Sequence, residues 1–298
     1  MTQNLSENTV VLALTLGQVS NRRKLSSSTE AIKTEIDRDM LHVGIDLYDA
    51  PELKACRRFL TSLKLAVRSK TVPSFLKGGM YMVKVEAVEE IDALLFKARE
   101  DFRPLVEAFA AVADERKEES RARLGSAFNP GLYPTAEQIN ALYRIDWKWL
   151  TMSTPDSLKK ISVQFFERER EKQEEALQEA VHEITNMLTL EAKGLADHMV
   201  DRLTPDEDGK PKIFRNSMVS NITEFLANFK LRDVGSSEEL QSQVERMRKL
   251  TEGVQPDDLR KSDSLRQDVH EGFKRVAQTL DSLVMQKPKR KINLREEA

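Results

Sequence analysis

The residues best equipped for chemistry fall into three short constellations, and each lacks a part. His182 and Glu183 begin the pattern H-E-x-x-H, in which two histidines one helical turn apart grip zinc and the glutamate acts as base. The second histidine's position holds Asn186, so the chelate cannot form in that way. Asp206, Asp208 and Lys210 lie in PDEDGK. They are the residue types of a nuclease site, in which carboxylates hold a divalent metal and a lysine faces the attacking water. Here they are fused into one Pro/Gly turn, and a solvated turn is the expectation. Gly78-Gly79 stands outside any G-x-x-x-x-G-K-[ST] or G-x-G-x-x-G context, so it reads as a tight turn entering a strand. His42, His198 and His270 lack metal-ligand spacing, and no G-x-S-x-G elbow occurs. No catalytic, cofactor-binding or metal residue is assigned, and no cofactor is expected.

What remains is charge. Arg22, Arg23 and Lys24 form one basic cluster, and Lys287, Lys289, Arg290 and Lys291 form another in the tail. Both are candidate contacts for a partner or for phosphates. Glu296 and Glu297 dilute the second, and the net charge of −2 exerts no global pull toward nucleic acid or membrane. Trp147 and Trp149 alternate onto one face of a strand, which favours packing over base stacking.

The elements that must position these residues follow from periodicity. Residues 9–16 (TVVLALTL), 80–85 (MYMVKV) and 145–152 read as strands that pair into a small three-stranded sheet. Residues 30–40 and 49–69 read as helices, the latter with Asp49 as N-cap and the stripe Leu53, Cys56, Leu60, Leu63 and Val67. A helical run begins near Ala87, and Pro104 is expected to kink or split it near Arg103. Thr135 with Gln138 forms a capping box for a short helix ending near Tyr143.

The chain is organised around a long helix predicted over residues 154–203. Thr154 would be its N-cap, Pro155 its first position, and Thr204-Pro205 its stop. Leu158, Ile161, Phe165 and Phe166 would share one face at its start. Residues 167–175 hold no apolar side chain, and Glu167, Arg170 and Glu174 form i,i+3 and i,i+4 pairs. The stripe then resumes at Leu177, Val181, Ile184, Leu188, Ala192, Leu195, Met199 and Leu203. Its mean step of about 3.7 residues suits a globular bundle better than a long dimeric coiled coil. Further stripes follow: Phe214 to Phe229, a helix capped by Ser236 and Glu239, and a last helix from Asp263 or Ser264. With the long helix they make a bundle of about four antiparallel helices.

The fold class is therefore mainly α with a small β component: an α+β N-terminal lobe joined by one long helix to a C-terminal helical bundle. The expected divisions are a lobe over 1–166, a charged helical bridge over 167–176, a bundle over 177–286 and a basic tail over 287–298. The 298 residues are 40% hydrophobic and 32% charged, which fits a helix-rich protein. The lone Cys56 excludes an intrachain disulfide and reads as a buried, inert thiol. The opening residues MTQNLSEN lack a secretory pattern, and no apolar run approaches the roughly 18 residues of a membrane span. A cytoplasmic location is the expectation, in a bacterial host cell if the gene is carried by a phage.

Three segments carry a resemblance: VLALTLGQVSNRRKL from Val11, FLKGGMYMVKVEAVEE from Phe75, and YPTAEQINALYRIDWKWLTMSTP from Tyr133. In order, these features resemble an uncharacterised phage and bacterial domain-of-unknown-function family. Its genes often neighbour a MoxR-type AAA+ ATPase and a protein with a von Willebrand factor A domain. The resemblance covers about the first half of the chain and brings no catalytic residues. It implies a non-catalytic adaptor, substrate or structural partner in an ATPase-driven remodelling system, with the AAA+ ATPase or the von Willebrand factor A protein as partner. The other reading is a phage or plasmid DNA-metabolism protein that grips nucleic acid through the basic loop and tail. Self-association is compatible with either.

Overall fold

The computed structural model describes residues 8–24, 44–74, 78–207, 212 and 216–284. The helix expected over 30–40 and the tail cluster Lys287, Lys289, Arg290 and Lys291 lie outside the described residues, as do His42, Asp208 and Lys210. The chain is mainly helical with a small antiparallel sheet, and it divides into two compact units, Asn8–Met152 and the residues from Ser153 on. That division comes before 166, because the segment after Met152 packs along the long helix that follows it.

In the first unit, β1 (Thr9–Gly17), β2 (Arg22–Lys24) and β3 (Gly44–Asp46) precede α1 (Pro51–Lys70). Then come β4 (Val72–Pro73), β5 (Met80–Lys84), α2 (Val88–Leu124), α3 (Ala136–Leu142) and β6 (Arg144–Leu150). The expected three strands do pair, and β4 adds a fourth at one edge, giving the order β4-β5-β1-β6. Its two residues were too few to register as a period. β2 and β3 form a separate ribbon. Leu12 faces Tyr81 and Trp149 across the strands, and Leu14 faces Trp147, so these side chains share one face. Both indole N–H groups donate to Asp92 Oδ1 on α2, Trp147 at 2.7 Å and Trp149 at 3.0 Å. That bonding fixes α2 on the face the tryptophans share. Gly79, at φ +84°, makes the turn into β5 that a side chain would strain.

Two local expectations fail here. Asp49 does not cap α1. Ala50 holds that position without a side-chain bond, while Asp49 accepts from Lys54 (2.6 Å) and Arg123 (3.1 Å). Hydrogen bonds from those cations, Lys54 first, hold its carboxyl below the usual range. Nor does Pro104 split α2, which runs unbroken through it. The proline is exposed, so the carbonyl it leaves unpaired faces water. Phe102 and Val106 anchor the buried face on either side of it.

In the second unit, the long helix α4 spans Val163–Leu203, not 154–203. Ser162 caps it through Phe165 N, and Asp156–Lys160 is a separate 3-10 turn. Thr154 Oγ1 instead donates to Gln173 Oε1 at 2.8 Å, and the Lys159 ammonium lies 4.4 Å from the Phe166 ring centre. The turn thus folds back along the start of α4, and Ile161 and Val163 are left 73% and 66% exposed. The pairs expected within 167–175 form, Arg170 lying 2.7 Å from Glu167 and 3.8 Å from Glu174.

The remaining helices are α5 (Asn216–Arg232), α6 (Glu238–Thr251), α7 (Pro256–Lys261) and α8 (Asp263–Leu283). The buried stripe of α4 includes Leu177, Ile184, Leu188, Ala192, Met199 and Leu203 as expected, with Ala180 and Ala196 replacing Val181 and Leu195 at the centre. Ser237, not Ser236, caps α6, because the Ser236 hydroxyl is held by Asp233. Among the described residues, no helix is long and apolar enough to cross a membrane.

Candidate functional site

The first basic cluster lies on β2, and the pairing of that strand decides what each residue faces. Arg22, Arg23 and Lys24 are exposed and stand opposite Asp46, Ile45 and Gly44. Successive side chains of a strand leave opposite faces. Arg23 therefore leaves the opposite face of the ribbon from Arg22 and Lys24. Arg22 folds back over Gly44, where an added Cβ would stand 3.0 Å from its Nε.

Asn21, only 3% exposed, anchors the ribbon. Its Nδ2 donates to Tyr48 O at 2.9 Å, and Tyr48 N–H donates to its Oδ1 at 2.7 Å. Leu47 N–H donates to Asn21 O at 2.8 Å, and Ser120 Oγ on α2 donates to Leu47 O at 2.6 Å. The residues on both sides of the ribbon are thereby fastened to the helical core.

Arg23 faces a groove of about 410 Å³, within the range of ligand and peptide clefts. Val19, Ser20 and Arg23 form one wall, and Leu132, Tyr133, Pro134, Gln138 and Leu142 form the other. The second wall is held by the capping box of α3: Thr135 N–H donates to Gln138 Oε1 at 3.0 Å, and Gln138 N–H donates to Thr135 Oγ1 at 3.3 Å. Leu142, 46% exposed, is the large apolar side chain presented at its end. Gly17 sets the junction behind it, because an added Cβ would stand 2.4 Å from Leu142 O.

Behind Tyr133, the one aromatic side chain among the described residues that line the groove, the packing is aromatic and uncharged. Tyr48 meets Tyr133 edge-on at 5.1 Å and Phe109 at 5.3 Å. Burial pushes the Tyr48 hydroxyl up to about 12 and raises Tyr133 and Tyr143 as well, so all three stay neutral at physiological pH. Arg23 is the charged side chain among the described residues that line the groove. The arrangement suits a ligand with an apolar group to lay against Leu132, Tyr133 and Leu142 and an anionic group to meet the guanidinium.

The other sequence candidates are not brought together. His182 and Glu183 are exposed on α4. His270 Nε2 lies 3.1 Å from Thr204 Oγ1, a hydroxyl partner. Cys56 is fully buried, with its Sγ 3.4 Å from Leu105 O. Sequence reading singled out Arg23 but missed the rest of the groove. The Tyr-Pro step and the capping box were visible, but nothing local joins residues near 20 to residues near 135. The chain matches no protein-family model, no curated protein and no solved structure.

Proposed function

We propose that this protein is a non-catalytic adaptor of phage or bacterial origin, working with an AAA+ ATPase remodelling system. The observation that supports this reading is the groove beside β2, where an apolar wall ending at Leu142 faces the single guanidinium of Arg23. Its occupant is a peptide segment of the partner, carrying an apolar side chain next to a carboxylate. The apolar contact supplies most of the affinity, and the Arg23–carboxylate pair fixes orientation. The family resemblance of the first half of the chain points to the AAA+ ATPase or its von Willebrand factor A companion as the protein that supplies the segment.

Affinity purification from the source cell, with and without nuclease, tests this reading. The expected result is an ATPase or von Willebrand factor A protein that survives nuclease and is lost when Arg23→Glu and Leu142→Asp are combined. Retention by that variant overturns the groove as the docking site. Partners lost on nuclease treatment overturn the adaptor reading in favour of nucleic-acid binding through the basic residues. That alternative further predicts salt-sensitive binding that weakens when Lys289, Arg290 and Lys291 become Ala.

A further inference from the structure

The sheet of the first unit ends at β6, which among the described residues pairs on one side only, with β1. Sheet edges are guarded against pairing by charged side chains, by a proline or by a bulge, and mixed charges repel a second copy only in registers that set like signs opposite each other. β6 carries the sequence RIDWKWL, with Arg144, Asp146 and Lys148 exposed. We propose that β6 pairs antiparallel with β6 of a second copy, about a two-fold axis at Trp147, joining the two sheets into one.

The charge order selects this partner and this register. With Trp147 opposite Trp147, Asp146 of each strand stands opposite Lys148 of the other. Ile145 stands opposite Trp149, and Arg144 opposite Leu150. Two opposite-charge pairs and two aromatic–aliphatic pairs form at once, each favourable in a cross-strand position. A symmetric pairing moved by one residue sets Asp146 against Asp146, or Lys148 against Lys148, and is disfavoured. Lys148 has no ion pair within its own chain among the described residues, whereas Asp146 lies 3.6 Å from Arg144. The aromatic side chains point the same way. Phe96 of α2 meets Trp147 edge-on at 4.9 Å and is still 47% exposed. A two-fold axis at Trp147 brings two such clusters beside each other and gives Phe96 cover. The proposal does not depend on the groove, which lies on other elements of the unit.

Sedimentation velocity of the full chain over a concentration series tests it, with Asp146→Lys and Lys148→Asp as exposed variants whose melting should match the parent. The parent is expected to dimerise. Either substitution alone sets like charges opposite each other twice, and the dimer dissociation constant should rise about ten-fold or more. Mixing the two variants in equal amounts should restore a dimer, since each then supplies the charges the other lacks. A parent that stays monomeric at its solubility limit overturns the proposal. So does a dimer that both single variants keep, or a mixture that fails to reassociate.

Discussion

Asn21 and Tyr48 are joined by two hydrogen bonds between the amide side chain of the first and the peptide N–H and C=O of the second, both buried. The pair works like one extra rung of a ladder, where β2 leaves the core and the chain returns after β3. Asn21→Ala strands a buried donor and a buried acceptor, so it should cost about 1–3 kcal/mol. Chemical denaturation is the check. Because Arg23 follows two residues later, partner binding at the groove should fall in the same variant. Asn21→Asp should not rescue it, because it buries a charge and removes the donor.

Cys56 should be silent toward thiol reagents in the folded protein. Burial pushes its thiol up to about 11, and little thiolate exists at pH 8. Disulfide-exchange labelling should proceed only as fast as the chain opens and should become rapid in denaturant. Fast labelling of the native protein would contradict this.

The same burial makes stability depend on alkaline pH. The folded-state values of Cys56 and Tyr48 lie above their ordinary values of 9.0 and 10.0, at about 11 and about 12. Between those limits the unfolded chain releases protons that the folded chain holds, so stability falls as pH rises. The contribution is fully present below pH 9.0 and is lost through about pH 12. Denaturation midpoints measured across this window should decline, and Tyr48→Phe should flatten the upper part of the decline.

Gly272 marks the contact of α8 with α6. A Cβ there would sit 2.4 Å from Leu250 Cδ2 and 2.9 Å from its Cδ1. Gly272→Ala forces the half-buried Leu250 side chain to move, and the gain of about 1 kcal/mol in helix propensity offsets that cost, so the melting temperature should change by only a few degrees. Adding Leu250→Ala should relieve the clash, so that this second substitution costs less in the Gly272→Ala variant than in the parent. Thermal melts of the double-mutant cycle measure that coupling.

Arg232 ends α5 with its guanidinium bonded twice to Glu191, at 3.0 and 2.6 Å. The arginine side chain is 8% exposed and the glutamate 40%. Glu191→Ala leaves a buried cation without its carboxylate and should cost about 1–3 kcal/mol. Arg232→Met removes the cation and fills similar space, so it should cost less. Urea denaturation of the two variants decides the order.

Periodicity alone determined much of this protein. The alternation of Ile145, Trp147 and Trp149 marked a strand, and the helical spacing from Leu177 to Leu203 marked a buried face, because both patterns repeat within a few residues. The capping box of Thr135 and Gln138 was legible for the same reason. The start of α4 was not. Thr154-Pro155 carries as good a helix-start signal as Ser162, and what separates them is the Thr154 bond to Gln173 and the packing of Lys159 on Phe166. The candidate site was legible only at Arg23. Its division from Arg22 and Lys24 depends on pairing with Gly44–Asp46, and its opposite wall comes from residues near 135. Which strand lies at the sheet edge was equally out of reach, since order within a sheet is set by contacts distant in sequence. Local patterns specify which elements form, because their physics is short-range. The groove and the exposed edge belong to the tertiary structure, because they exist only where distant segments meet or fail to meet.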